Sequence, residues 1–229
     1  MHFAIIVAAG QGTRMGGGDA KQFRALAGTP VVVHTLRRFE LCETINACVV
    51  VVPAPAADNF LLLAQQHQLH KVTRAIAGGA TRTESVARGL EAIKAADADI
   101  IAVHDGVRPF VTAQEIDLTV LAAEASGAAV LCAPVVDTIK EVQMAHIART
   151  VPRENLRRAL TPQCFRYELL RRACAHARAH NLDATDCSAL VEQLGIEPVA
   201  VEGDPRNIKL TRPEDFALAE ILIREFEKQ

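Results

Sequence analysis

The chain has almost no net charge: 25 Lys and Arg stand against 27 Asp and Glu over 229 residues, a formal charge of -2. No general field for a polyanion or a membrane surface follows, so any phosphate site has to be built locally and nucleic acid is not an expected partner. No apolar run approaches the roughly 18 residues of a membrane span. The opening MHFAIIVAAG is too short, and meets glycine too soon, to read as a signal peptide. There is no CxxC pair; Cys42, Cys48, Cys132, Cys164, Cys174 and Cys187 fall mostly inside apolar stretches. That distribution reads as reduced, buried thiols, and the expected location is cytoplasmic. A Walker loop, GxxxxGK[ST], is missing, and so is HExxH. The pairs His67 with His70 and His176 with His180 therefore read as solvated helix faces rather than metal ligands. No Ser, His and Asp arrangement suggests a covalent nucleophile. Internal repeats, low-complexity tracts and linkers are absent as well.

What is present is a chain half apolar and about a quarter charged, enough for a sizeable core. Short runs dense in β-branched residues at 3–7, 47–52, 72–76, 100–103, 128–135 and 198–201 read as buried strands. Helical periodicity fills 31–40, 58–68, 84–94, 113–125 and 167–180, and a last helix runs from 213 to about 227. This alternation implies right-handed βαβ crossovers and predicts an α/β fold, a single Rossmann-like domain over 1–229 with a mainly parallel twisted sheet flanked by helices. Ligands bind such sheets beyond the carboxyl ends of the strands, so chemistry-bearing motifs are expected just after strands. Residues 137–153 break the alternation. Two alternating polar and apolar segments flank a turn near 144–146, which predicts a projecting β-hairpin arm. It has too little apolar surface to stand alone, and packing on a second subunit, giving a homodimer, is preferred over folding back.

Directly after the first strand comes AAGQGTRM (8–15), followed by GGGDAKQF (16–23). Glycines at 10, 12, 16, 17 and 18 allow backbone N-H groups to approach phosphate oxygens, while Arg14 and Lys21 add positive charge. The dinucleotide pattern GxGxxG fails because Met15 stands at the third glycine. Ala8, Ala9, Gly10 and Gly12 are the expected nucleotide-binding backbone.

AAGxGxRM followed by KQF resembles the signature of the 2-C-methyl-D-erythritol 4-phosphate cytidylyltransferases of non-mevalonate isoprenoid synthesis. Further segments resemble the same family in order: GGATRTESV (78–86), VHDGVRPF (103–110), DTIK (137–140), LTPQ (160–163), Thr185-Asp186 and NIKLTRPED (207–215). The resemblance implies an enzyme that transfers CMP from CTP to a polyol phosphate with a divalent cation, Mg²⁺. It also implies roles for particular residues. Gly79, Arg82, Ser85, Asp105 and Gly106 would join the loop at the nucleotide, and Asp105 would hold the metal. Arg108, Thr138, Thr161 and Thr185 would meet the acceptor with Asp105, and Arg14, Lys21, Arg153 and Lys209 would act in catalysis. Arg153 would do so in the neighbouring subunit's site. Thr211 with Glu214 reads as a capping box before the last helix. The sequence departs from the commoner family pattern at Ala20, at Ala80 and at Gly106-Val107. Two other readings are a cytidylyltransferase for a different polyol phosphate, such as ribitol phosphate, and a nucleotide-binding module without catalysis.

Overall fold

A computed structural model describes residues 1–10, 20–182 and 184–226. Arg14 and Gly12 lie outside the described residues. The order of elements is β1 (Phe3–Val7), β2 (Ala25–Leu26), β3 (Thr29–Pro30), α1 (Val31–Leu41), β4 (Ala47–Val52), α2 (Ala54–Gln66), β5 (Val72–Ala77), α3 (Arg82–Glu91) and β6 (Ile100–Asp105). Then follow α4 (Ala113–Ser126), β7 (Ala128–Pro134), β8 (Ile139–Gln143), β9 (His146–Val151), β10 (Arg157–Arg166), α5 (Tyr167–Ala179), α6 (Cys187–Glu192), β11 (Val199–Glu202) and α7 (Pro213–Phe226).

Seven strands form the main sheet in the order β11-β7-β10-β6-β1-β4-β5. Strand β10 pairs antiparallel with β6 and β7, whereas the other pairings are parallel. The β-branched runs suit this sheet because it is covered on both faces. Ala4 and Ile6 of β1, with Val50 and Val52 of β4, pack under α1, α2 and α4. Ile5, Val49 and Val51 point the other way, onto α3, α5 and α6. A third cluster seats α7 through Phe216, Ala219, Ile223 and Phe226 against Val107, Phe110 and Leu210. Each fully buried Val, Ile or Phe contributes on the order of 2 kcal/mol to this packing.

Strand β10 is a departure from the expected pattern. Its sequence RRALTPQCFR carries three arginines and a proline, which mask it as a strand. The proline is tolerated because the β10–β7 register shifts between Ala159 and Gln163, releasing it from the ladder. Helix α6 also departs from the expected pattern, being only six residues long. The cap of α7 moves by one position: Arg212 N-H, Thr211 N-H and the Thr211 hydroxyl all donate to Asp215 Oδ2, at 2.8, 2.7 and 3.0 Å. With Pro213 first in the helix, Asp215 rather than Glu214 is the third residue and takes the capping role.

The chain order reverses at β1, which is followed in the sheet by β4 and β5 on one side and by β6 on the other. That switch point opens a crevice at the carboxyl edge. The β1 ladder runs on past its end, with Ala8 N-H donating to Val51 O at 2.7 Å and Gly106 N-H donating to Val7 O at 2.8 Å. Ala8 and Ala9 are thereby pressed between glycines from both sides. A Cβ at Gly106 would lie 2.8 Å from Ala8 Cβ, and one at Gly78 would lie 2.2 Å from Ala9 Cβ. Gly78→Ala is therefore expected to destabilise the fold by about 2 kcal/mol through forced separation of β1 from the β5–α3 turn. Urea denaturation checks this, and an unchanged midpoint would show that the turn yields freely.

The arm is a hairpin of β8 and β9, turned at Met144 and Ala145, which take positive φ of 45° and 66°. Two consecutive left-handed residues make the tight turn whose twist suits paired strands. The hairpin leaves the sheet where β7 and β10 pair, Pro134 opposite Arg157, so it springs from the carboxyl edge that also carries the crevice.

Candidate active site

Two adjoining cavities occupy the crevice. The larger, about 550 Å³, is bounded by Ala8, Ala9 and Gly10 after β1, Lys21 and Gln22, the 79–82 turn, Ser85, Asp105 and Lys209. The smaller, about 220 Å³, is bounded by Arg108, Leu160, Thr161, Gln163, Thr185 and Asp186. Arg82, Asp105 and Lys209 belong to both and form the wall between them.

Gln22 sets the first wall. Its Nε2 donates to Ala8 O at 2.6 Å and to Gly10 O at 3.2 Å, tying the segment that carries Lys21 to the end of β1. The residue is almost fully buried, and its amide supplies the donor that two adjacent carbonyls need. On the opposite wall, Thr81 caps α3 by accepting from Glu84 N-H, and Glu84 Oε2 accepts from Ala80 N-H at 2.7 Å. Ser85, expected to face a base, lines the larger cavity, and its hydroxyl donates to Thr81 O at 2.9 Å and accepts from Gly79 N-H at 3.1 Å. Ser85 thus shapes the backbone of the turn. A Cβ at Gly79 would lie 2.4 Å from Glu84 Cβ, so the turn closes only on glycine.

Asp105, the last residue of β6, is the charge centre. Its Oδ1 accepts from Arg82 Nε at 3.4 Å, and its Oδ2 faces Arg108 Nε at 3.4 Å and Lys209 Nζ at 3.0 Å. Burial alone would raise its pKa, but Arg82, Lys209 and Arg108 overcome this and hold it well below the usual carboxylate range. Among the described residues, Asp105 is therefore ringed by three cations, a surplus of positive charge at the border of the cavities. Arg108 is oriented further by donating from Nη1 to Asn207 O at 2.8 Å.

Beneath Asp105 lies a polar network that the motifs contained but did not announce. His104 is fully buried, and burial lowers its pKa to about 4, so it is neutral at pH 7. Its Nε2 faces Arg108 O at 3.2 Å; a carbonyl only accepts, so Nε2 carries the proton. Nδ1 must then accept from the Thr161 hydroxyl, 3.0 Å away. Thr161 Oγ1 also accepts from Asp105 N-H at 3.2 Å, and Asn207 Nδ2 donates to Thr161 O at 2.9 Å. Thr161, expected as a hydroxyl donor to substrate, lines the smaller cavity; with its hydroxyl directed to His104 it also braces Asp105.

The lowered histidine has a consequence for stability. The unfolded chain takes up the proton near 6.5 and the folded chain only near 4, so the unfolded state binds more protons between those values. This contribution is complete above about pH 6.5 and is lost as the pH falls towards 4, up to about 3 kcal/mol. Denaturation of the wild type and His104→Gln from pH 7 to 4 checks it: the difference between them should shrink on acidification. Parallel pH dependences would dismiss His104 as the group responsible.

Of the remaining anticipated residues, Thr185 lines the smaller cavity. Thr138 and Arg153 do not line either cavity of their own chain; both are exposed, and the Arg153 guanidinium donates to Val136 O at the root of the arm. Among the described residues no cluster of three His, Cys, Asp or Glu side chains could hold a metal. His180 Nδ1 lies 2.9 Å from His176 O, within its own helix. The six cysteines are buried and free, and no helix among the described residues is long and apolar enough to cross a membrane.

A family model described as 2-C-methyl-D-erythritol 4-phosphate cytidylyltransferase matches residues 2–225. Relatives of that name include one from Shouchella clausii, 44% identical over 228 positions that cover 99% of this chain and 98% of the relative. Another, from Acidobacterium capsulatum, is 41% identical over 232 positions and 97% of each chain. The solved structure of the 2-C-methyl-D-erythritol 4-phosphate cytidylyltransferase from Thermus thermophilus superposes with a TM-score of 0.78 at 36% identity, covering 98% of this chain and 100% of that one. With the fold, the ordered motifs and the match all running nearly end to end, the chain belongs to the 2-C-methyl-D-erythritol 4-phosphate cytidylyltransferase family of nucleotidyltransferase enzymes.

Proposed function

We propose that this chain transfers CMP from CTP to 2-C-methyl-D-erythritol 4-phosphate, releasing pyrophosphate, as a step of non-mevalonate isoprenoid precursor synthesis. The observation that carries this reading is the pair of cavities sharing Arg82, Asp105 and Lys209 as their common wall. A nucleotide in the larger and a small phosphorylated polyol in the smaller would bring two anions together at three cations. The acceptor's phosphate oxygen bonds to the α-phosphorus in line as the bond to the bridging oxygen of pyrophosphate breaks. A phosphate monoester is already anionic near neutral pH, so no protein base is needed, and placement and charge neutralisation do the work.

Lys21, which lines the larger cavity, would meet the charge that builds on the α-phosphate and leaving group, and the family resemblance adds Arg14 to that role. Lys209 and Arg108 orient the acceptor, with Thr185 beside it. Cytosine is read largely by backbone groups of the 79–81 turn and of Ala8 to Gly10, with Gly78, Gly79 and Gly106 keeping the backbone close. One carboxylate, already surrounded by cations, does not make a resident metal cage. It does suit Mg²⁺, which takes most of its ligands from triphosphate oxygens and water. Asp105 would be its protein ligand, and Mg²⁺ would supply neutralisation of the triphosphate charge. Incubation with CTP, Mg²⁺ and each candidate polyol phosphate, following pyrophosphate, tests the reading. Release with ribitol phosphate and none with methylerythritol phosphate would replace the acceptor, and binding of CTP with no release in any combination would replace the enzyme by a binding module.

The arm completes the site in a second subunit under the same reading. Val136, Val142, Met144 and Ile147 are exposed along it, Met144 at 96%, a surface that a dimer would cover. Arg153 then acts in trans with Thr138. Arg153→Ala and Lys209→Ala are each expected to be nearly inactive. Mixed after subunit exchange they should recover about a quarter of wild-type activity, since half the dimers are hybrids and each hybrid holds one intact site of two. No recovery despite exchange would place Arg153 outside the partner's site.

A further inference from the structure

Arg82 stands at the border of the two cavities, and Asp105 restrains it from one side only. Among the described residues the other restraint is a sulfur: Arg82 Nη1 donates to Cys187 Sγ at 3.3 Å. Cys187 is the first residue of α6, a helix too short to hold its own position. Gln163 of β10 does that for it. Its Oε1 accepts from Cys187 N-H at 2.8 Å and from Ser188 N-H at 3.2 Å, while its Nε2 donates to Asp186 Oδ2 at 2.9 Å. Asp186 Oδ1 accepts in turn from Ala189 N-H at 3.0 Å and from the Ser188 hydroxyl at 3.1 Å. Gln163 is completely buried, and only an amide fits between two N-H donors and a carboxylate.

We propose that Cys187 is a positioning residue for the acceptor half of the reaction: clamped through Gln163 and Asp186, which line only the smaller cavity, it holds Arg82, which the motifs place at the nucleotide, to the acceptor side of the cavity border, opposite Asp105. Burial pushes the Cys187 thiol up, outweighing the neighbouring Arg82, which lowers it. The sulfur therefore stays neutral and serves Arg82 through its lone pairs. A neutral acceptor suits this place, since a second carboxylate would compete with Asp105 for the guanidinium.

The inference rests on the proposed function, and two measurements keep the two apart. In steady-state kinetics, Cys187→Ala is expected to lower kcat/KM for the polyol phosphate about fivefold, the size of one modest hydrogen bond, with KM for CTP nearly unchanged. Cys187→Ser, which restores a lone-pair acceptor, is expected to recover most of the loss. In an Arg82→Lys background, Cys187→Ala should add nothing, because its effect passes through the guanidinium. Gln163→Glu sets two carboxylates face to face and is expected to reproduce the selective loss. Equal losses in both backgrounds, or a serine variant no better than alanine, would overturn the proposal. The second measurement needs no turnover: the ¹H–¹⁵N signal of Arg82 Nε in unliganded protein should be sharp in the wild type and Cys187→Ser and broadened in Cys187→Ala. If that holds while no substrate pair yields pyrophosphate, positioning stands and the functional reading falls. An Arg82 signal indifferent to Cys187→Ala overturns positioning whatever the activity.

Discussion

Lys21→Ala is expected to lower kcat by about 100-fold or more, a loss of a few kcal/mol typical of removing one preorganised charge from a transition state. Gln22, the next residue, is stapled to Ala8 O and Gly10 O, so the backbone carrying Lys21 is fixed to the end of β1 before any ligand arrives. Lys21 lines the larger cavity, where a compact ammonium can meet charge that grows on the α-phosphate and the departing pyrophosphate. Since this charge is greatest in the transition state, kcat should fall far more than KM for CTP rises. Lys21→Arg should rescue poorly, because a planar fork cannot occupy a point charge's position. Pyrophosphate release at saturating substrates measures the effect. A Lys21→Ala enzyme within about threefold of wild type would remove the residue from the chemistry.

The second large effect is on stability. Asp105→Asn keeps the shape of the side chain but leaves Arg82 and Arg108, both largely buried, and the more exposed Lys209 without their shared counter-charge. Breaking such a cluster from one side is expected to destabilise the unliganded protein by about 3 kcal/mol. Most of that comes from the two arginines, since water screens Lys209. Tm should drop by roughly 6–12 °C for a chain of this size. Added inorganic pyrophosphate should return part of the loss, because the orphaned cations gain an anion. Thermal unfolding with and without pyrophosphate reads both effects. A Tm close to wild type would mean that the cations relax away from one another and that Asp105 does not organise them.

The central parallel strands could be read from the sequence because burial on both faces leaves continuous apolar runs, such as CVVVV in β4 and IIAV in β6; the edge strands β5 and β11 carry the same residue types but, against expectation, hold no buried residue. Strand β10 could not be read, since its arginines and proline are admitted by a local shift in pairing that only the folded sheet defines. The site divides similarly. Glycine-rich turns and single charges in fixed order brought Lys21, Arg82, Asp105, Arg108 and Lys209 into view, and the fold gathers them at one sheet edge. Gln22, His104, Gln163 and Asn207 lay inside the same motifs and passed without a role. Their work is hydrogen bonding across 14 to 57 residues of chain, which no local pattern encodes. One signal was available for two of them: His104 and Gln163 are polar residues next to apolar runs, where burial demands a partner. Cys187 was hidden for the opposite reason, a thiol in an apolar setting being ordinarily a small hydrophobe.

The close approach of Ala8 and Ala9 to Gly106 and Gly78 bears on how the protein can change. This wall of the larger cavity is backbone, flanked by positions where even a methyl group collides with a neighbouring strand. A small molecule that spent its hydrogen bonds on these peptide groups would leave the chain few escape routes, because substitutions able to repel it would first have to be tolerated by the fold. Resistance would then have to arise at the rim, where side chains such as Arg82 and Lys209 are also needed for turnover.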